Sequence, residues 1–137
     1  MSLVLDSSVA LASVIDLETT PAVLQAMHLV ISNGAWVPSL WRIEVANVLE
    51  MGVRRNRFDA SFQSKALADL SLLQISIDPE TDRQAWSATS RLASLHRLTL
   101  YDAAYLELAL RRALPLATFD RELRAAASAE GMTLLGV

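Results

Sequence analysis

The chain has 137 residues, 53% of them hydrophobic and 20% charged, and its 12 Lys+Arg against 15 Asp+Glu give a formal charge of −3. That length predicts a single domain, residues 1–137, with a core of its own, and the composition excludes a disordered chain. Without cysteine there is no disulfide scaffold, thiolate metal site or cysteine nucleophile, and His28 and His96 are too few for a His-rich zinc centre, so any metal must be held by oxygen. The acidic balance on its own runs against a nucleic-acid partner, since such proteins usually carry a basic surplus.

Leu3-Val4-Leu5 reads as a short buried strand, and Asp6-Ser7-Ser8 as the start of a helix to about Ile15. Thr20 and Pro21 open a second helix, which Asn33-Gly34 ends. Ala35-Trp36-Val37 is the next strand, and Ser39 caps a helix through Arg55. A further helix covers Asp59 to Leu72, and Gln74 to Ile77 is a strand. Asp78-Pro79-Glu80 opens one long helix to His96, and Thr99 to Asp102 opens another that ends near Ala113. Leu114 to Ala117 is a strand, Asp120 opens a helix to Ala129, and Thr133 to Leu135 is the last strand. Short apolar strands alternating with helices predict an α/β fold, a parallel sheet with helices on both faces and its ligand site at the carboxyl edge of the strands. Ala10-Leu11-Ala12 faintly resembles a signal-peptidase site, but no Lys or Arg precedes it and Asp6 interrupts the apolar run. No uncharged apolar run reaches the ~20 residues of a membrane span. The expectation is a soluble, cytoplasmic protein with no membrane association.

Four acids fall where the carboxyl edge should be. Asp6 directly follows the first strand, Asp120 closely follows the fourth, Asp102 begins a helix, and Glu44 lies on the flank of a stripe formed by Trp41, Val45, Val48 and Gly52. Each has an ordinary structural reading. Asp6 and Asp120 can be helix caps, Thr99 and Asp102 have capping-box spacing, and Glu44 can reach past an apolar edge to water. Capping does not explain their gathering at one end of the sheet. Two like charges about 5 Å apart repel by roughly 3 kcal/mol at an effective dielectric of 20. Raised pKa values, basic partners or a divalent cation must offset that, and all-oxygen donors suit Mg²⁺ or Mn²⁺. Setting these four acids aside leaves 12 Lys+Arg against 11 Asp+Glu, a remainder of +1. Arg42, Arg54, Arg55, Arg57, Arg121 and Arg124 are candidates for a basic rim, each equally readable as a solvated helix face. Glu107 and Arg111 are expected to form a solvated i, i+4 pair, and Trp36, Trp41 and Trp86 to lie in the core or an interface. Ser7 and Ser8 lack a nearby His for a triad, and no Gly-rich phosphate loop follows the first strand.

These motifs together resemble the PIN-domain family, and within it the VapC toxin group of type II toxin–antitoxin systems. The matching segments are Leu-Asp6-Ser-Ser-Val-Ala-Leu, Pro38-Ser-Leu-Trp-Arg-Ile-Glu44-Val-Ala-Asn47-Val-Leu, Leu100-Tyr-Asp102-Ala-Ala-Tyr-Leu-Glu-Leu-Ala and Pro115-Leu-Ala-Thr118-Phe-Asp120-Arg-Glu-Leu, in order along the chain. The resemblance implies a three-layer fold with a mostly parallel five-stranded sheet. It also implies a Mg²⁺- or Mn²⁺-dependent endoribonuclease, with Asp6, Glu44, Asp102 and Asp120 as catalytic and metal-binding acids and Thr118 and Asn47 in support. Its implied partners are an RNA substrate, a cognate antitoxin and a second copy of the chain. One departure is Ala113-Leu114, where many relatives have Gly before Pro115; a left-handed helix end costs more without Gly, so a changed turn and a shifted Asp120 are expected. The rival readings are a catalytically inert PIN-like binding module and a response-regulator-like phosphoacceptor. The second is weakened because Lys65, the only lysine, precedes the third strand rather than following the last.

Overall fold

A computed structural model describes residues 1–15 and 18–136. Leu3–Leu5 form β1, Ala35–Val37 β2, Ile75–Ile77 β3, Leu116–Ala117 β4 and Leu134–Leu135 β5. All neighbours pair in parallel, in the order β3-β2-β1-β4-β5. Val4 sits opposite both Trp36 and Leu116, so β1 is the central strand. The chain builds outward from β1 through β2 to β3, then returns to place β4 on the other side of β1. The junction of β1 and β4 is therefore where strand order reverses, the usual location of a ligand crevice in such sheets.

Among the described residues eight helices flank the sheet: α1 (Ser7–Val14), α2 (Pro21–Asn33), α3 (Trp41–Arg54), α4 (Ala60–Ser71), α5 (Thr81–Gln84), α6 (Ala88–His96), α7 (Leu100–Arg112) and α8 (Arg121–Ala129). Leu3, Val4, Leu5, Leu116 and Ala117 are all buried, as expected of strands covered on both faces. Thr20 accepts from the Val23 N–H at the start of α2, with Pro21 in the first turn, and Gly34 ends it at φ 75°. No helix among the described residues is long and apolar enough to cross a membrane.

Five local expectations are corrected. The long helix over 78–96 is two helices, broken at Ala85–Ser87; the Ser90 and Ser87 hydroxyls take the Ala85 and Gln84 carbonyls that a continuous helix would use. Trp86, at this break, is 96% exposed, which overturns the core half of its reading and leaves the interface half. Ser39 does not cap α3: its N–H donates to Thr81 Oγ1 and its hydroxyl to Asp82, and the helix starts at Trp41. The buried face of α3 is Trp41, Val45, Leu49 and Gly52, while Val48 is partly exposed, because four-residue steps from Val45 lead to Leu49. Gly52 has no room for a side chain, since a Cβ there would lie 2.1 Å from Phe58 Cζ.

The fifth correction concerns Glu107 and Arg111. Glu107 is buried, and Arg111 bonds it through Nε at 2.8 Å while its Nη2 reaches Asp78 Oδ2 at 2.6 Å. Asp78, at the end of β3, is itself buried and also accepts from Thr81. Arg112 lies 3.4 Å above the Trp36 ring centroid, a cation–π contact beside the same acid. Together these side chains form a buried ionic knot at the end of α7 far along the helix from Asp102. The turn after α7, by contrast, keeps its left-handed form without glycine: Ala113 has φ 54°.

Candidate active site

Asp6 leaves β1 at the point where the sheet order reverses. Its N–H donates to the Ala117 carbonyl, which fixes it beside the end of β4. It stands in the cap position of α1, yet its side chain makes no capping bond. Instead Thr118 Oγ1 donates to Asp6 Oδ2 at 2.6 Å and Ser8 Oγ to the same oxygen at 2.7 Å. The Asp120 N–H donates to Thr118 Oγ1 and the Phe119 N–H to Ser8 Oγ, which leaves each hydroxyl its own proton to donate to the Asp6 carboxylate. Oδ2 is thereby occupied twice, while the Ser7 hydroxyl reaches Oδ1 over a long 3.5 Å.

Glu44 comes from the first turn of α3 and is half-buried, and its Oε1 accepts from the Tyr105 hydroxyl at 2.5 Å. Asp102 lies in the first turn of α7, where its N–H is held by Thr99 Oγ1 at 3.1 Å. Asp120 caps α8, accepting from the Leu123 N–H at 2.8 Å. The capping explanation thus holds for one oxygen of Asp120 and fails for Asp6.

These acids are close enough to oppose one another's ionisation. Burial raises the Asp6 carboxyl above its ordinary range, against the pull of Thr118 and Ser8, and the charge of Asp120 adds to the rise. Glu44 is raised by burial, then by Asp6 and Asp102, against the hydrogen bond from Tyr105. Asp102 is raised by burial and by the charges of Asp120 and Asp6. Among the described residues none of the ion pairs includes any of the four. The edge therefore gathers oxygen donors with no basic ion-pair partner among the described residues.

That donor set fits a hard divalent cation. Among the described residues no three Asp, Glu or His side chains form a ready-made cage. Open carboxylate sites suit Mg²⁺, which keeps several of its waters and borrows phosphate oxygens from its substrate.

Other candidates fare differently. Asn47 is exposed, one turn along α3 from Glu44. Of the basic rim, Arg42, Arg55, Arg57 and Arg121 are exposed, and Arg54 pairs with Glu50. Arg124 is consumed structurally, since its Nη1 donates to the Thr118 and Leu135 carbonyls and ties β4 to β5. Two residues of the site went unrecognised in the sequence. In the sequence Ser8 reads as part of a helix start and as a serine without a histidine partner, with no sign that it holds Asp6. Tyr105 sat inside an aliphatic helix face, although a buried phenol normally needs a hydrogen-bond partner.

The PIN domain family model matches residues 3–129. The chain belongs to the PIN-domain family. PIN domains are generally nucleases, which hydrolyse phosphodiester bonds. Among solved structures, the chain is similar to PAE2754 from Pyrobaculum aerophilum, at 26% identity and TM-score 0.68, over 98% of this chain and 92% of that one. It also shares its fold with VapBC2 from Rickettsia felis, solved bound to a DNA fragment from its promoter, at 14% identity and TM-score 0.65, over 98% of this chain and 97% of that one. Comparison with curated protein sequences gives no match.

Proposed function

We propose that this PIN domain is a divalent-metal-dependent endoribonuclease, using Mg²⁺ or Mn²⁺, and the toxin of a toxin–antitoxin pair. The observation that carries the nuclease reading is the gathering of four acids, Asp6, Glu44, Asp102 and Asp120, with no basic ion-pair partner among the described residues; burial and neighbouring acidic charge hold Asp6, Glu44 and Asp102 above their ordinary pKa. Asp6, through its less occupied Oδ1, Asp102 and Asp120 would hold the ion, and Glu44 would bind it directly or through water. A bound divalent cation lowers the pKa of a water ligand and neutralises charge on a phosphodiester. The chain's own residues supply the rest. Ser8 and Thr118 hold Asp6 in one rotamer, and Glu44, whose raised pKa suits a base, accepts a proton from the attacking water. Exposed Arg42 and Arg121 supply positive charge for the RNA backbone. The acidic average of the chain is then no obstacle to a nucleic-acid substrate, because part of that acid is reserved for cations.

The toxin assignment is supported by the fold shared with a VapBC complex, and a cognate antitoxin and a second copy of the chain are the partners it implies. Incubation of the purified chain with RNA and Mn²⁺, with and without EDTA, tests the reaction. The expected result is endonucleolytic cleavage that EDTA stops and that Asp102→Asn lacks while remaining folded. Full activity in that variant, or indifference to EDTA, would overturn the mechanism.

The Asp120 cap on α8 favours a second reading, an inert binding module in which the acids serve as caps and antitoxin contacts. That module would show no change in melting temperature at millimolar Mn²⁺.

A further inference from the structure

Tyr105 is fully buried in the middle of α7, three residues beyond Asp102. Its neighbours on the buried face are Leu106, Leu108 and Ala109, which a phenylalanine would serve as well. The hydroxyl therefore needs its own explanation, and the structure gives one. It crosses from α7 to α3 and donates to Glu44 Oε1. Burial, with the negative charges of Asp6 and Glu44, holds the phenol far above its ordinary pKa, so it remains a donor at any working pH.

The consequence is geometric. A glutamate on a helix flank has three side-chain torsions to fix, and ordering them costs conformational entropy. A donor at one carboxylate oxygen removes most of that freedom before any ligand arrives. The same device operates on Asp6, where Ser8 and Thr118 occupy Oδ2. Both carboxylates thus have one oxygen tied into the protein and the other less committed. We infer that Tyr105 is a positioning residue of the site, clamping Glu44 Oε1 so that Oε2 is the oxygen presented to the cation and the attacking water. This rests on the metal-dependent nuclease reading and adds a residue to it.

The test is Tyr105→Phe, which keeps the ring and removes the clamp. Outer-shell partners of metal ligands typically contribute about 10- to 100-fold to affinity or activity. The Mn²⁺ concentration giving half of the maximal thermal stabilisation should rise about tenfold, read without substrate. With RNA at saturating Mn²⁺, kcat should fall about tenfold with KM within twofold. In a Glu44→Ala background the same substitution should add little, because the acceptor of the hydroxyl is already gone. A role confined to packing would instead lower the melting temperature and leave the Mn²⁺ midpoint and kcat unmoved, which overturns the proposal.

Should Tyr105→Phe not fold, the wild-type chain gives the answer by NMR. The Tyr105 ring signals should shift on Mg²⁺ addition with the midpoint of the thermal titration, and unmoved signals overturn the clamp. A wild-type chain with no response to either ion and no cleavage removes the nuclease reading and the clamp with it. A responsive, active wild type with an unaffected Tyr105→Phe removes the clamp alone.

Discussion

Arg111 on α7 reaches Asp78 at the end of β3 with its Nη2 only 2.6 Å from Oδ2, and the Asp78 side chain is fully buried. Burial alone would raise the Asp78 carboxyl, but Arg111 and Thr81 together hold it below the usual carboxylate range. Glu107 and Glu80 share the same guanidinium. The knot anchors one end of α7, while the other end carries Asp102.

Removing one member should be far worse than never having had the pair. Arg111→Met leaves Asp78 buried without its main counter-charge, and a loss of about 3 kcal/mol or more is expected. Chemical denaturation measures it. Adding Asp78→Asn to Arg111→Met should recover part of that loss, because the orphaned charge disappears. By contrast, breaking the exposed Lys65–Asp69 pair should leave stability nearly unchanged.

The two groups of acids should give opposite pH dependences. Asp6, Glu44 and Asp102 have raised pKa values, so the folded state binds more protons than the unfolded one. Their penalty is complete above the raised values and fades as pH falls toward the unfolded value, about 4 for these carboxyls. Asp78 is lowered, so its contribution is present above its unfolded pKa of about 3.9 and is lost as pH falls through its folded value. The metal-free melting temperature should therefore rise on acidification through the raised values toward about pH 4, then fall as pH drops further. Mn²⁺ should stabilise more at pH 7 than at pH 5. A melting temperature that falls steadily from pH 7 downward would contradict the repulsive pocket.

Ala113 sits at φ 54°, the left-handed region where a Cβ is unfavourable. Ala113→Gly should stabilise by roughly 1 kcal/mol, since the residue is exposed and loses no packing. A rise in melting temperature of a few degrees is the expected readout.

Gly52→Ala tests packing against propensity. Alanine is about 1 kcal/mol better than glycine in a helix interior. Here the new methyl would drive into the Phe58 ring, and overpacking costs about 1–3 kcal/mol. Net destabilisation is expected, with recovery in Gly52→Ala/Phe58→Leu.

Much of this arrangement was legible in the residues. Asp6 and Thr118 betray their places because each directly follows an apolar strand, and strand ends in a parallel sheet share one edge. Thr20-Pro21 and Asn33-Gly34 mark α2 through local capping chemistry. What escaped was tertiary. Asp78 and Arg111 are 33 positions apart, and a helix wheel cannot tell a buried i, i+4 pair from a solvated one. The break before α6 was a local signal misread, since Ser87 and Ser90 compete with the backbone for carbonyls. The turn at Ala113 kept its left-handed form despite an unfavourable residue, because the Leu114 N–H and the Ala113 N–H still bond the end of α7.

Asp6 and Thr118 touch across a separation of 112 positions, and β1 gains its β4 neighbour only when Leu116 and Ala117 arrive. During synthesis, the first acid emerges from the ribosome long before the hydroxyl that orients it. A nascent chain carrying Asp6, Glu44 and even Asp102 still lacks Thr118 and Asp120. For a protein that would cut RNA, this order of emergence works as a delay. On the proposed reading, cleavage waits for Thr118 and Asp120, the residues of the site that are made last.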